Sequence, residues 1–147
     1  MQTPILPRSS NQFPSRARPD HPSNTPPRFP EPGSLQVHVF PWIETPAGRF
    51  LGKGRVELLE HIIVHGSISK AAKAMGMTYK KSWDLINSMN SQSAKPLVLT
   101  QTGGGGGGGA VVTAEGRLAI SLYKGLRQRL DAFVLEENQR LEAALLA

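Results

Sequence analysis

The sequence predicts a mainly α-helical fold with a small antiparallel β-sheet (α+β), and three observations carry that expectation. Apolar residues recur every three to four positions in several stretches after residue 53, each opened or closed by a capping residue. Two short β-branched runs flank seven consecutive glycines, Gly103 to Gly109, as strands flank the loop of a hairpin. A last periodic stretch, residues 114–146, would extend about 50 Å at 1.5 Å per residue, too long for a domain this small to cover.

The bulk composition narrows where the core lies. Nine of the 12 prolines fall in the first 34 residues, among Ser, Arg and Asn and few aliphatics. Such a stretch buries too little apolar surface to offset the entropy of ordering, so residues 1–34 are expected to be a disordered, partly polyproline-like tail. The rest of the 147-residue chain is large enough to fold as one domain. The absence of cysteine excludes a disulfide scaffold and thiolate metal sites, and fits a reducing compartment. No run of 18 apolar residues exists, and Pro and Arg interrupt the N-terminal stretch where a leader's apolar region would sit, so the expected location is cytoplasmic. The net charge is +6, and it is unevenly placed. Between Gly66 and Lys95 five lysines face one acid, whereas residues 130–147 hold four acids and one arginine. A basic middle beside an acidic end suits a protein that presents one surface to a polyanion, although an ordinary solvated lysine face gives the same count.

In chain order, LQVHVFPWIE (35–44) alternates apolar and polar residues as a half-buried strand does, and TPAG (45–48) reads as a turn. Val56, Leu59, Ile62 and Ile63 predict a first helix at about 53–65, closed by Gly66 in the left-handed position that follows many helices. Ser67 is a good N-cap for a short second helix with Ile68, Ala71, Ala72 and Met75 on one face, ended by Gly76. Thr78 then caps a third helix, TYKKSWDLINSMNSQSA, with Ser82, Ile86 and Met89 inward and Pro96 beyond its end. LVLTQT (97–102) and AVVT (110–113) read as hairpin strands around the glycines, and Thr113 caps the last helix, with Glu115 suiting its dipole. Gly116 stands where a capping box would need a glutamate or glutamine. The order is strand, three helices, two strands and a long helix: a winged helix-turn-helix (35–113) followed by a C-terminal dimerisation helix (114–147).

GSISKAAKAMGMTYKKSWDLINSMN (66–90), followed by the glycine tract and VVTAEGRLAISLY (111–123), resembles the N-terminal DNA-binding domain of the molybdate-responsive ModE family of transcriptional regulators. That domain is a relative of the winged helix of LysR-type regulators. Gly66-Ser67-Ile68-Ser69, Ala71-Ala72, Met75-Gly76-Met77, Tyr79-Lys80, Trp83, Asn87 and Met89-Asn90 carry the resemblance, which covers roughly residues 35–135. It implies a homodimer that binds palindromic promoter DNA. Full-length members continue into paired β-barrel domains that bind molybdate or tungstate. This chain reaches Ala147 without that pattern, so DNA binding is expected of it, and a small-molecule effector site or cofactor is not.

A recognition helix aims its outward residues at base edges and its flanks at phosphates. Here these are Thr78, Tyr79, Lys80, Lys81, Asp84, Asn87 and Ser88, with Trp83 expected to pack against the second helix or the base of the wing. Ser67, Ser69, Lys70 and Lys73 on the second helix suit phosphate contacts, and Arg49, Lys53 and Arg55 are weaker candidates. Arg8, Arg16, Arg18 and Arg28 in the tail either add non-specific affinity or merely solubilise it. Gly105, Gly106 and Gly107 at the wing tip let backbone N–H groups approach DNA closely. Leu122, Leu126, Leu130, Phe133 and Leu141 are the candidate dimerisation residues.

No catalytic constellation stands out, so the chain is not expected to be an enzyme. Glu57, His61 and His65 recur along one helix face, but without the HExxH pattern or a third strong ligand they make a poor metal site. The glycine tract formally contains G-x-G-x-x-G, yet a strand rather than a helix follows it, which rules against a dinucleotide or phosphate loop. The expected function is sequence-specific DNA binding by a homodimeric transcriptional regulator in molybdenum- or tungsten-related gene control. The alternative is a protein-interaction module that docks to a separate oxyanion-sensing subunit.

Overall fold

The computed structural model describes residues 29–102 and 108–147. Most of the proline-rich tail (residues 1–28) and Gly103 to Gly107 lie outside the described residues. The elements are β1 (Trp42–Thr45), β2 (Gly48–Gly52), α1 (Lys53–His65), α2 (Ile68–Ala74), α3 (Tyr79–Ser91), β3 (Val98–Gln101), β4 (Gly109–Val112) and α4 (Ala114–Leu146). The fold is mainly helical, with two separate two-stranded antiparallel sheets.

Cap chemistry sets the helix boundaries. Gly66 closes α1 at φ 61°, where its N–H donates to Ile62 O at 2.8 Å. Ser67 Oγ accepts from Lys70 N, Thr78 Oγ1 from Lys81 N and Thr113 Oγ1 from Gly116 N, so each predicted N-cap satisfies a donor that the first turn leaves free. Gly76, at φ 65°, lies within the turn between α2 and α3. The four helices bury one continuous core. Leu58, Leu59 and Ile62 of α1 and Ile86 and Met89 of α3 pack with Leu51, Ile68 and Ala71, and with Ala119, Ile120 and Tyr123 of α4. Ser82, the buried polar residue of this core, donates its hydroxyl to Tyr79 O at 2.6 Å.

Three expectations are corrected. The stretch 35–44 forms a strand only from Trp42; residues 35–41 belong to no strand or helix. Their side chains do alternate between half-buried and exposed, as the sequence pattern requires, but they lie along α4. Val37 N donates to Asn138 Oδ1 at 2.7 Å, Gly33 N to Glu142 Oε2, and Tyr123 Oη to Pro41 O at 3.1 Å. A period of two signals an extended, half-buried segment without specifying what covers it. The second correction is β2, which pairs with β1 in the register Ile43↔Leu51 and Thr45↔Gly48 with an irregularity after Ile43. Its two glycines and lack of clean alternation hid it. The third is the end of α3, which stops at Ser91 rather than running toward Pro96. There Gln92 Nε2 turns back to Ser88 O and Arg49 O, while Thr45 Oγ1 donates to Gln92 Oε1.

Asn90 fastens the wing to α3. Its Oδ1 accepts from Leu97 N (2.9 Å) and Val98 N (3.2 Å), and its Nδ2 donates to Val98 O (3.0 Å). Replacing Asn90 with Ala strands two donors and an acceptor, and is expected to cost about 2 kcal/mol in urea unfolding. Asn90→Asp, which keeps both acceptor contacts and loses the donor, should cost less.

Candidate nucleic-acid interface

α3 buries Ser82, Ile86 and Met89, and a helix turns 100° per residue, so Lys80, Asp84 and Asn87 form its opposite, solvent-facing stripe. Lys80 Nζ lies 2.9 Å from Asp84 Oδ2 one turn on. Such exposed pairs contribute little to stability but hold both side chains over the helix surface. Lys81 sits one step round the helix toward β2 and α1, and Tyr79 and Trp83 one step the other way toward α2 and the wing. Tyr79 and Trp83 meet edge to face with ring centroids 6.1 Å apart. Trp83 is half-buried against the core and lines the crevice between the start of α2 and strands β3 and β4, in line with the packing expected of it.

The wing strands pair antiparallel, Val98↔Val112 through Gln101↔Gly109. Ala110 N donates to Gly66 O at 2.9 Å, which ties the wing to the turn between α1 and α2. That bond brings four segments around one polar crevice of about 570 Å³: the end of α1, the start of α2, Tyr79 of α3 and the loop end of β4. Ser69 and Lys70 open onto it, and Ser67 spends its hydroxyl on the α2 cap. Lys73 is exposed one turn along α2, and Thr78 caps α3 at the rim of the exposed stripe.

The predicted residues are therefore not all placed alike. Lys70, Lys73, Tyr79, Lys80, Lys81, Asp84 and Asn87 are exposed on the surface formed by α2 and α3. Ser88 is half-buried, and its hydroxyl accepts from Arg55 Nη1 at 2.9 Å. Gly105, Gly106 and Gly107 lie outside the described residues. Gln101 and Thr102 line the same crevices and were not singled out from the sequence, and His65, weighed there only as a metal ligand, lines one of them too. Polar residues at a strand end carry no signal of their own until the wing is placed beside α2. His61 and His65 stack in parallel, centroids 5.7 Å apart. Among the described residues no three His, Cys, Asp or Glu side chains converge.

On α4 the five candidate dimerisation residues divide. Leu122 and Phe133 are more than half exposed, as is Leu118, while Leu126, Leu130 and Leu141 are half-buried. Ile63 and Val64 of α1 border a groove of about 660 Å³ against Ile120 and Gly125 of α4. No described helix is long and apolar enough to cross a membrane.

Residues 54–117 match the family described as bacterial regulatory helix-turn-helix protein, lysR family. The DNA-binding transcriptional dual regulator ModE of Escherichia coli (strain K12) is 44% identical over 94 residues, 64% of this chain and 36% of that protein. The molybdenum transport protein ModE of Azotobacter vinelandii is 36% identical over 99 residues, 67% of this chain and 37% of its own. The molybdenum-pterin-binding protein MopB of Rhodobacter capsulatus is 40% identical over 101 residues, covering 66% and 37%. The chain thus spans little more than a third of the length of these curated relatives. The helix-turn-helix with its exposed outward stripe and the hairpin wing beside it agree with this match: residues 54–117 form a lysR-type helix-turn-helix domain, similar to the N-terminal region of ModE and Mop proteins.

Proposed function

We propose that the chain is a sequence-specific DNA-binding transcriptional regulator and not an enzyme, with α3 in the major groove and the glycine-rich wing on the flanking backbone. The observation that carries this reading is the exposed stripe of α3, Lys80, Asp84 and Asn87, with Lys81 beside it and the α2–wing crevice along its edge. Lysine suits phosphate or a guanine edge, asparagine pairs bidentately with adenine, and aspartate accepts from cytosine N4. The relatives' names speak of transcriptional regulation and of molybdenum, which favours control of molybdenum- or tungsten-related genes.

The regulator acts as a homodimer on a palindromic operator. Leu118, Leu122 and Phe133 leave apolar surface on a 33-residue helix, and Ile63 and Val64 add to it from α1. Exposed apolar side chains gathered along one helix mark an association site more often than a monomer's solvent face.

Fluorescence anisotropy with duplex DNA at several salt concentrations tests the reading. Binding should fall steeply with salt, because each neutralised phosphate releases counterion. Absence of any salt-sensitive binding across a genomic fragment library would contradict it. At the wing, replacing Gly105, Gly106 and Gly107 with Ala should weaken DNA binding about tenfold while leaving the melting temperature within a degree or two. Unchanged affinity would remove the wing tip from the interface.

A further inference from the structure

A second basic surface lies on the other side of α3. Trp42 of β1, Arg49 of β2, Lys53 and Arg55 of α1 and Lys81 of α3 line a cleft of about 400 Å³. Four cations meet there, and none of the lining residues is acidic. Among the described residues Arg49, Arg55 and Lys81 have no carboxylate within 4.0 Å, and Lys53 reaches Glu57 only at that limit. Glu44, which opposes Arg49 across the hairpin, is engaged instead by Trp42 Nε1 at 2.8 Å.

Two of the cations are held in place. The Arg49 guanidinium lies over the Trp42 ring at 4.8 Å, a contact that fixes its position without neutralising it. Arg55 is anchored through Nη1 to Ser88 Oγ and Phe50 O. Burial, and then the charge of Arg49, hold the Arg55 guanidinium below its ordinary pKa, so the cluster works against itself while no anion is present. The first turn of α1 forms part of the same wall. It has no acid, and its Gly52 cap supplies no side chain. A fold that holds like charges together in this way is locally inconsistent unless an anion completes it.

The position indicates which anion. Tyr79 and Trp83 face the wing, Lys81 and Leu85 face this cleft, and the Lys80, Asp84 and Asn87 stripe runs between them. A helix seated in a major groove about 12 Å wide has a phosphate strand on each side. The wing and α2 stand at one; the β1–β2 hairpin, which precedes the family-matched residues 54–117, stands at the other. We propose that the cleft formed by Arg49, Lys53, Arg55 and Lys81 binds phosphates of the DNA strand across the major groove from the wing. This rests on the DNA-binding reading above.

The test is anisotropy with a labelled 30-base-pair mixed-sequence duplex over a range of NaCl concentrations. The proteins compared are the unmodified chain, Arg49→Ala/Lys53→Ala, Lys53→Ala alone and Arg140→Ala on distant α4, each checked by thermal melting. Each phosphate contact contributes about 0.9 to the slope of log affinity against log salt, so the double variant should bind with a slope shallower by about 2 and Lys53→Ala by about 1. Arg140→Ala should leave the slope unchanged. Lys53 is largely exposed, so its variant reports even where the double variant unfolds. No binding by the unmodified chain overturns the DNA reading itself. Binding with an unaltered slope in the Lys53 variant and in a folded double variant overturns only the cleft. Saturable thermal stabilisation by millimolar inorganic phosphate, lost in the variants while their DNA slope is unaltered, assigns the cleft to a free anion and equally overturns the proposal.

Discussion

Replacing Lys80 and Lys81 together with alanine is expected to weaken duplex binding about 100-fold, while the melting temperature and the oligomeric state stay unchanged. Both lysines are fully outside the core: Lys80 pairs only with Asp84 one turn along α3, and Lys81 has no carboxylate partner among the described residues. Removing them therefore changes the surface proposed to meet DNA and little else. Loss of a lysine–phosphate contact costs roughly tenfold and lowers the salt slope by about 1, so two contacts multiply. The same double variant separates the regulator from a docking module, which would lose little. Truncation at Leu130 should do the opposite and weaken self-association first, because it removes Phe133 and Leu141 from α4 and leaves α3 intact. Analytical ultracentrifugation alongside anisotropy reads both effects.

Gly116→Ala is expected to destabilise the domain by about 3 kcal/mol, lowering the melting temperature by about 10 °C. A Cβ there would lie 2.4 Å from Leu97 O and 2.5 Å from Val112 Cγ1. Neither neighbour can retreat cheaply. Leu97 O accepts from Thr113 N and Thr113 Oγ1, Leu97 N is held by Asn90, and Val112 is paired with Val98. The start of α4 is pressed against the first residues of the wing, and only glycine permits that approach. Gly125, further along the same helix, provides the contrast. Its Cβ would meet only the end of the Arg129 side chain at 3.3 Å. Gly125→Ala should stabilise by about 0.5–1 kcal/mol, because alanine loses less entropy in a helix. Thermal or denaturant melts of the two variants should move in opposite directions.

Much of this architecture was legible because helix caps and helix faces are local chemistry. Gly66, Ser67, Thr78 and Thr113 each act within four residues of their position, so each boundary they set could be read directly. The inward set of α3, Ser82, Ile86 and Met89, followed from spacing alone. What escaped was non-local. The alternation of residues 35–41 was real, but its partner is a helix about a hundred residues away, held through Tyr123 and Asn138. Gly116 looked like a missing capping-box residue, and its need for open space arises only where β3 and α4 meet. The site divided along the same line. The outward face of α3 could be listed from the helix period, whereas the seat of Ser88 against Arg55 depends on the hairpin, whose second strand was not visible. Arg49 and Arg55 become a basic cleft with Lys81 only once β2 is folded beside α3.

The most direct test of the central claim is dimethyl sulfate footprinting of duplexes that the chain retains from a genomic fragment library at low salt. Guanine N7 lies in the major groove, where α3 is proposed to sit. Protection is predicted in two patches about one helical turn apart, one for each protomer, and it should be lost with Lys80→Ala/Lys81→Ala. Failure to retain any duplex, or retention with every major-groove N7 still reactive, would contradict the account.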